Sequence, residues 1–261
     1  MTNKSPPTSA RSREGFQPIS VKSPTTHPFL FRLRCLVDLQ LGTIVVNLRP
    51  ALSQAFGSVL DVGAGQSPWR DWLPSTVSYR GIDVGYAHEF GMDGDRQDIT
   101  YYDGKLMPFG DASFDCILCI EVLEHSEDPR LLISEIARVI KPRGTVLLTV
   151  PWSARLHHLP HDYHRFSREC LRMLFEQNGF NDIEIRERGN DIGAIANKLT
   201  VLTIRLLRPK KFYQFLWSYP LGLLCGILAV CFIVSAHISV ALGMGSNEDP
   251  LGYFVKAKRL G

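Results

Sequence analysis

No long, unbroken basic stripe runs through this chain, and its net charge of +3 is too small to organise a phosphate backbone, so nucleic acid is not expected as a partner. The first 28 residues lack the apolar core of a secretory signal. They are rich in Ser, Thr and Pro and carry Lys4, Arg11, Arg13 and Lys22 against the single acid Glu14. Such a segment cannot bury enough surface to order itself, so residues 1–28 are expected to be a solvated tail, a transit peptide being the other reading. The six cysteines are scattered and make no disulfide framework, which points to a reducing cytoplasm. Cys116 and Cys119 form a C-x-x-C inside an apolar run that reads as a strand. Residues three apart on a strand face opposite ways, so buried thiols are expected rather than a shared ion. No internal repeat is apparent. The most extended absence is of charge: residues 212–247 hold no Lys, Arg, Asp or Glu in 36 positions.

What is present is an apolar fraction of 45%, enough for a sizeable core, arranged in alternating patterns. Residues 29–52 read as a helix against a sheet edge. Strands are expected over 58–62, 78–84 and 114–120. Asp128 and Pro129 then start a helix with Leu132, Ile136, Val139 and Ile140 on one face, stopped by Pro142 and Gly144. Residues 145–150 form an apolar strand. Ser167 caps a further helix, with Phe166 and Leu171 placed as a hydrophobic staple, ending near Asn178 and Gly179. Residues 183–188 and 252–259 alternate apolar and charged side chains as strands do. Strands alternating with helices at this spacing indicate an α/β fold, a doubly wound and mostly parallel sheet. The expected divisions are a tail over 1–28, a ligand-binding domain over 29–190, an apolar helical insertion over 191–249, and a last strand over 250–261.

In such a sheet ligands bind beyond the carboxyl ends of the strands. Gly63 and Gly65 follow the first strand, where the missing Cβ lets backbone approach a ligand. Asp61 offers a carboxylate beside that turn for a cationic amine, and Asp83 ends the next strand, where an acid can accept hydrogen bonds from both hydroxyls of a ribose. A bare strand-to-helix turn is the competing reading. A nicotinamide dinucleotide fits poorly, because its third glycine would fall on Pro68.

The segment Leu106-Met-Pro-Phe-Gly-Asp-Ala-Ser-Phe-Asp-Cys-Ile-Leu-Cys-Ile-Glu-Val-Leu-Glu-His-Ser-Glu-Asp-Pro129 resembles the central part of class I S-adenosylmethionine-dependent methyltransferases, of the type 11-like kind. Ile140-Lys-Pro-Arg-Gly-Thr-Val-Leu-Leu-Thr-Val-Pro151 resembles the helix-to-strand passage that follows there. The resemblance implies a seven-stranded Rossmann-like sheet and S-adenosylmethionine as cofactor. By position it implies that Asp61, Gly63 and Gly65 hold the methionine part, that Asp83 takes the ribose, that Asp98 meets the adenine amine and that Glu121 lines the pocket. One departure stands out: Ser67 occupies the place of the usual third glycine, followed by Pro68, which suits a shortened helix.

Methyl transfer needs an aligned acceptor and a base. His125 follows the strand at 114–120 and either serves there or holds a loop by hydrogen bonding. In His157-His-Leu-Pro-His-Asp-Tyr-His-Arg-Phe-Ser167 the spacing matches no common zinc pattern, so no metal is expected. Asp162-Tyr-His-Arg-Phe-Ser167 resembles a signature of methyltransferases found with bacterial glycan-synthesis enzymes, where it closes over the acceptor. His161 or His164 as base, with Tyr163 and Arg165 on the substrate, is the functional reading; packing by Tyr163 and Phe166 with solvated histidines is the other.

Arg205, Arg208, Lys210 and Lys211 precede the uncharged stretch, as on the cytoplasmic side of a membrane. One span fits its length. If the strands on either side pair in one sheet, a single crossing is forbidden. A short hairpin, an interfacial helix or burial against another subunit then remain, and Pro220 with the glycines at 222, 226, 243 and 245 suits a bent segment. The resulting expectation is a methyltransferase at the inner face of a membrane acting on a small or lipid-linked acceptor, such as a glycan precursor. A non-catalytic cofactor-binding module that anchors a partner is the alternative.

Overall fold

The computed structural model describes residue 21, residues 23–87 and residues 98–261. Most of the expected solvated tail lies outside the described residues. Seven strands form one sheet: β1 (Ser58–Val62), β2 (Ser78–Val84), β3 (Ile99–Tyr102), β4 (Phe114–Ile120), β5 (Ile140–Pro151), β6 (Phe180–Arg188) and β7 (Gly252–Arg259). Their order is β3-β2-β1-β4-β5-β7-β6, with β7 antiparallel to both of its neighbours and the other pairings parallel. The strand order reverses between β1 and β4, where an open α/β sheet leaves a crevice at its carboxyl edge.

Side-chain alternation divides the core in two. Ile117 and Cys119 of β4 enter the cluster under α3 (Pro129–Val139) and α4 (Arg168–Gln177), while Cys116 and Leu118 enter the cluster under α2 (Leu39–Leu52). The two thiols therefore lie on opposite faces of the sheet. Burial first, with nearby carboxylates adding to it, pushes the Cys116 thiol up to about 12, and burial likewise raises Cys119.

Local chemistry sets the helix ends. Asp128 accepts hydrogen bonds from the Arg130 and Leu131 backbone N–H groups at the start of α3, with Pro129 next, and Ser167 accepts from Cys170 at the start of α4. The stretch expected as one helix over 29–52 is two, α1 (Pro28–Val37) and α2. Asp38 separates them and caps α2 through the Leu41 N–H. Strand β5 begins at Ile140, earlier than Pro142 and Gly144 suggest, because Ile140 already pairs with Phe114 ahead of a register shift. Strand β3 is short and half-exposed, and its pattern carries little apolar signal.

Between β6 and β7 the chain forms α5 (Asp191–Leu206) and α6 (Phe215–Leu242), packed on each other. Helix α6 runs unbroken through Pro220, Gly222 and Gly226 rather than bending there. Those two glycines instead admit the side chains of Leu206, Leu207 and Thr203 from the α5 end of the hairpin. The bend falls at Gly243, in the left-handed region at φ 64°, just past the helix.

The ends of β4, β5 and β6 are tied together by Arg188, which is fully buried. Its guanidinium donates to Glu121 Oε1 at 2.9 Å and to the Val150 carbonyl at 3.0 Å. Arg188→Met removes two charge-assisted hydrogen bonds while Glu121, partly open to the cavity, keeps some hydration, so the substitution is predicted to lower the free energy of unfolding by about 1.5–3 kcal/mol. Urea denaturation measures this; a change below about 0.5 kcal/mol, as for an ordinary surface site, contradicts the assignment.

Candidate functional site

The crevice at the β1/β4 reversal holds a cavity of about 530 Å³. It is walled by the β1 turn (Gly63, Gly65), the end of β2 (Asp83, Tyr86), the end of β3 (Tyr102, Asp103), the end of β4 (Glu121, His125) and the histidine loop (His158, His161). A wider, shallower depression lies at the other edge, where the parallel strands begin, around Arg138, Asn178 and Arg259.

The turn after β1 is held by the sheet itself. Gly63 adopts φ 67° and donates to the Ile82 carbonyl at 2.8 Å, and a Cβ there would collide with Val122. Gly65 donates to Asp83 Oδ2 at 2.8 Å, while Asp83 Oδ1 accepts from the Val84 N–H at 2.8 Å. Each oxygen of this carboxylate thus takes one backbone N–H and keeps a further lone pair for a cavity ligand. Burial raises the Asp83 carboxyl, against the lowering effect of those two hydrogen bonds.

Ser67 stands in the left-handed region at φ 48°, as the glycine it replaces would, and its hydroxyl lies 2.6 Å from the Tyr79 hydroxyl. A single 3-10 turn, Arg70–Trp72, follows in place of a full helix. Asp61 is buried behind the turn, where it accepts from the Tyr79 hydroxyl at 2.8 Å, and does not line the cavity. Asp98 is a correction. It lies at the start of β3, beside Gly81, and pairs with Arg70, whereas Asp83 sits two residues further toward the carboxyl edge. The acid at the cavity end of β3 is Asp103. Glu121 lines the cavity with its side chain fixed by Arg188.

Of the proposed bases, His125 and His161 line the cavity and His164 does not. His164 uses its backbone N–H on the Glu124 carbonyl at 3.2 Å, and its Nε2 is buried without a hydrogen-bond partner. Burial pushes the His125 imidazole down to about 4, helped by His157, which keeps it neutral near pH 7. The His161 ring stacks on Tyr86 at 4.6 Å, and its Nδ1 lies 2.8 Å from the Tyr163 hydroxyl. That hydroxyl donates to Glu127 Oε1 at 3.2 Å, and burial with the Glu127 charge pushes the phenol up to about 12. Tyr163 is exposed beyond the cavity wall rather than in it.

Arg165 is a second correction. Its guanidinium forks onto Asp162 at 2.6 and 2.9 Å and also donates to the carbonyls of His164 and Arg155. Those donors hold the loop, leaving no fork for a substrate anion. Asp162 accepts further from the His157 N–H at 2.9 Å; against the upward push of burial, His157 and Arg165 hold its carboxyl well below the usual range.

Sequence reasoning passed over Glu124 and weighed His157 only among the loop histidines, whose spacing fits no common zinc pattern. The side-chain donor atoms of Glu124, His125 and His157 lie within 4.8 Å of one another, a grouping that linear spacing could not show because His157 arrives from a different loop. The sequence-level sign was Glu124 itself, a second acid three residues after Glu121 and next to His125.

The model of a family described as methyltransferase domain matches residues 39–185. Among curated proteins, an O-methyltransferase, rstn1, of Aspergillus nomiae is 29% identical over 53% of this chain and 71% of its own length. The chain spans 42% and 46% of the next two relatives, less than half of each. Two solved structures share the fold. The [4+2]-cyclase SpnF has a TM-score of 0.53 at 18% identity, covering 85% of this chain and 83% of its own. A SAM-dependent methyltransferase from Archaeoglobus fulgidus has a TM-score of 0.52 at 16% identity, covering 88% and 100%.

The raised Asp83 carboxyl makes a pH prediction. A group whose folded pKa exceeds its unfolded value of about 3.9 contributes stability at low pH and loses it as pH rises through the folded value. Asp83→Asn cannot titrate, so the stability of the variant relative to the parent should increase from pH 4 to pH 7 in urea denaturation. A difference independent of pH would show that Asp83 is not desolvated as described.

Proposed function

The chain belongs to the methyltransferase domain family, and from that premise we propose that it binds S-adenosylmethionine in the β1/β4 cavity and transfers the methyl group to a small or lipid-linked acceptor. The observation that carries this reading is the pairing of the Gly63–Gly65 turn with Asp83. The turn brings bare backbone to the cavity for the amino-acid part of the cofactor. Asp83 offers one lone pair per oxygen to the two ribose hydroxyls, and Asp103 stands further along the wall toward the base.

Transfer is a displacement at the sulfonium carbon, so the protein has to place the acceptor and remove its proton. His161 suits the second task. The Tyr163 hydroxyl gives its proton to Glu127 and accepts from His161 Nδ1–H, a tautomer in which Nε2 is the basic nitrogen. His125, neutral and anchored through Nδ1 to the His161 carbonyl at 2.6 Å, positions that loop. Asp83→Ala removes two buried acceptors and should weaken S-adenosylmethionine binding by about tenfold or more, since hydrogen bonds to a charged group contribute about 1.5–3 kcal/mol each. Calorimetry with the full chain checks this, and release of S-adenosylhomocysteine with membrane extract checks turnover. Saturable binding without product would favour the non-catalytic module; no binding would remove both readings.

The acceptor reading rests on the α5/α6 hairpin. The 31-residue stretch Phe212–Leu242 is long and apolar enough to cross a membrane, and only 22% of its most apolar window is buried. Its small residues Ser218, Gly222, Cys225, Ala229, Ala236 and Ser239 face inward, while Leu216, Leu223, Ile227, Val230, Val234 and Ile238 face out. A helix in water buries its large side chains; lipid tolerates the reverse. Helix α1 continues this surface with Phe29, Leu30, Leu33 and Leu36 outward, and His237 Nε2 lies 2.8 Å from the Leu36 carbonyl. Because β6 and β7 pair in one sheet, the hairpin leaves and returns on one side. Helix α5 has 16 residues, about 24 Å, and carries Lys198, which is too short and too polar for a core of about 30 Å. Arg205, Arg208, Lys210 and Lys211 occupy the hairpin tip. The chain therefore lies in the cytoplasmic interface of a membrane with these cations among the headgroups. Ile227→Asp with Val234→Asp should lower co-sedimentation with anionic phospholipid vesicles at least tenfold while leaving S-adenosylmethionine affinity unchanged. Vesicle binding equal to the parent, or none by the parent, would sink this placement.

A further inference from the structure

Three hydrogen-bond acceptors converge behind the cavity wall at His125, with no donor among them. Glu124 is fully buried, and neither carboxylate oxygen has a hydrogen-bond partner. Its Oε1 faces His125 Nε2 at 3.7 Å and His157 Nε2 at 3.9 Å. The outer nitrogens fix the tautomers of both rings. His125 Nδ1 lies 2.6 Å from the His161 carbonyl, which can only accept, so Nδ1 carries the proton. His157 Nδ1 faces the Arg155 carbonyl at 3.1 Å and Asp162 Oδ2 at 3.3 Å, again acceptors only. Both Nε2 atoms therefore turn lone pairs toward a buried carboxylate. One proton could satisfy a single pair of these atoms and would leave the second imidazole facing an oxygen. A cation satisfies all three.

We infer that Glu124, His125 and His157 form a binding site for one divalent cation of the zinc class. Two imidazoles and one carboxylate are a donor set for a borderline first-row ion, and three protein ligands leave a position open. Tetrahedral zinc with bonds of 2.0–2.1 Å sets its donors about 3.3 Å apart, so the Glu124 gaps of 3.7 and 3.9 Å close by roughly half an ångström, and the widest separation, within 4.8 Å, by at most about 1.5 Å. The surroundings match such a site. Asp162 and two backbone carbonyls orient the ligand rings through their outer N–H groups, and Arg165 in turn clamps Asp162. This gives the Asp162–Arg165 fork a purpose beyond holding a loop. Of the three ligands His125 lines the cavity, which sets the ion beside the space an acceptor would enter. There a cation would bind an acceptor oxygen and ease loss of its proton to His161. That use rests on the methyl-transfer reading; the site itself does not.

The test uses the full chain in detergent, stripped with chelator, then titrated by calorimetry with zinc chloride and, separately, with cobalt(II), whose visible absorption reports a low-coordinate site. The expected result is one equivalent bound per chain, with affinity reduced at least 100-fold in His157→Ala and in Glu124→Gln. His237→Gln, on α6, should bind as the parent does. Circular dichroism identifies any variant that fails to fold. His157, on a loop, keeps the test valid if Glu124→Gln does not. No saturable binding by the parent, or equal binding by both variants, overturns the inference. S-adenosylmethionine affinity measured on the same samples separates the two claims. Zinc binding without the nucleoside upholds this site and refutes the methyl-transfer reading, and nucleoside binding without zinc refutes this site while leaving the cofactor pocket standing.

Discussion

The hydrogen bond from the Gly65 backbone to Asp83 ties the first strand's turn to the second strand's end. Around it the cavity takes its shape. Gly63 must hold a positive φ and admit Val122 for β1 to turn within reach of β2, and Ser67 must hold a positive φ for the chain to leave again. The Asp83 carboxylate, desolvated by the same packing, is kept in place by two amides and therefore presents fixed lone pairs rather than a mobile charge. A site arranged this way would need no reorganisation to take the diol of the proposed cofactor.

Across the cavity the histidine loop is organised by a different network. Arg165 clamps Asp162, Asp162 orients His157, and the His161 carbonyl orients His125. The two walls meet at β4, where Glu121 is pinned by Arg188 and Glu124 is buried three residues later. The segment after β4 thus contributes one carboxylate held by an arginine and one without a hydrogen-bond partner. The difference is what separates a structural acid from a candidate ligand.

Much of the architecture was legible because its signals are local. Strands β1, β2, β4 and β7 follow from continuous or alternating apolar runs, and the α3 and α4 caps from Asp128 and Ser167. Strand β3 was not, because four half-exposed residues at a sheet edge carry no pattern. Its omission explains the misplacement of Asp98: with β3 unseen, an acid at its start looked like one at its end, where Asp103 stands. The Arg165 reading failed for a related reason. A motif names residue types but not partners, and only the folded loop shows the guanidinium spent on Asp162. The convergence of His157 on Glu124 and His125 depends on two loops meeting, and no spacing rule encodes it. That the insertion leaves and returns on one side followed from chain topology, since paired flanking strands forbid a single crossing, but a hairpin was only one of three arrangements this left open. That Gly222 and Gly226 serve packing rather than bending required the α5 partner to be seen.

The most direct test of the central claim is a crystal structure of the chain grown with S-adenosylhomocysteine. The account predicts the nucleoside in the β1/β4 crevice, both ribose hydroxyls within hydrogen-bond distance of Asp83 and the amino-acid part against the Gly63–Gly65 turn. A nucleoside bound elsewhere, or an empty crevice at saturating ligand, would contradict it.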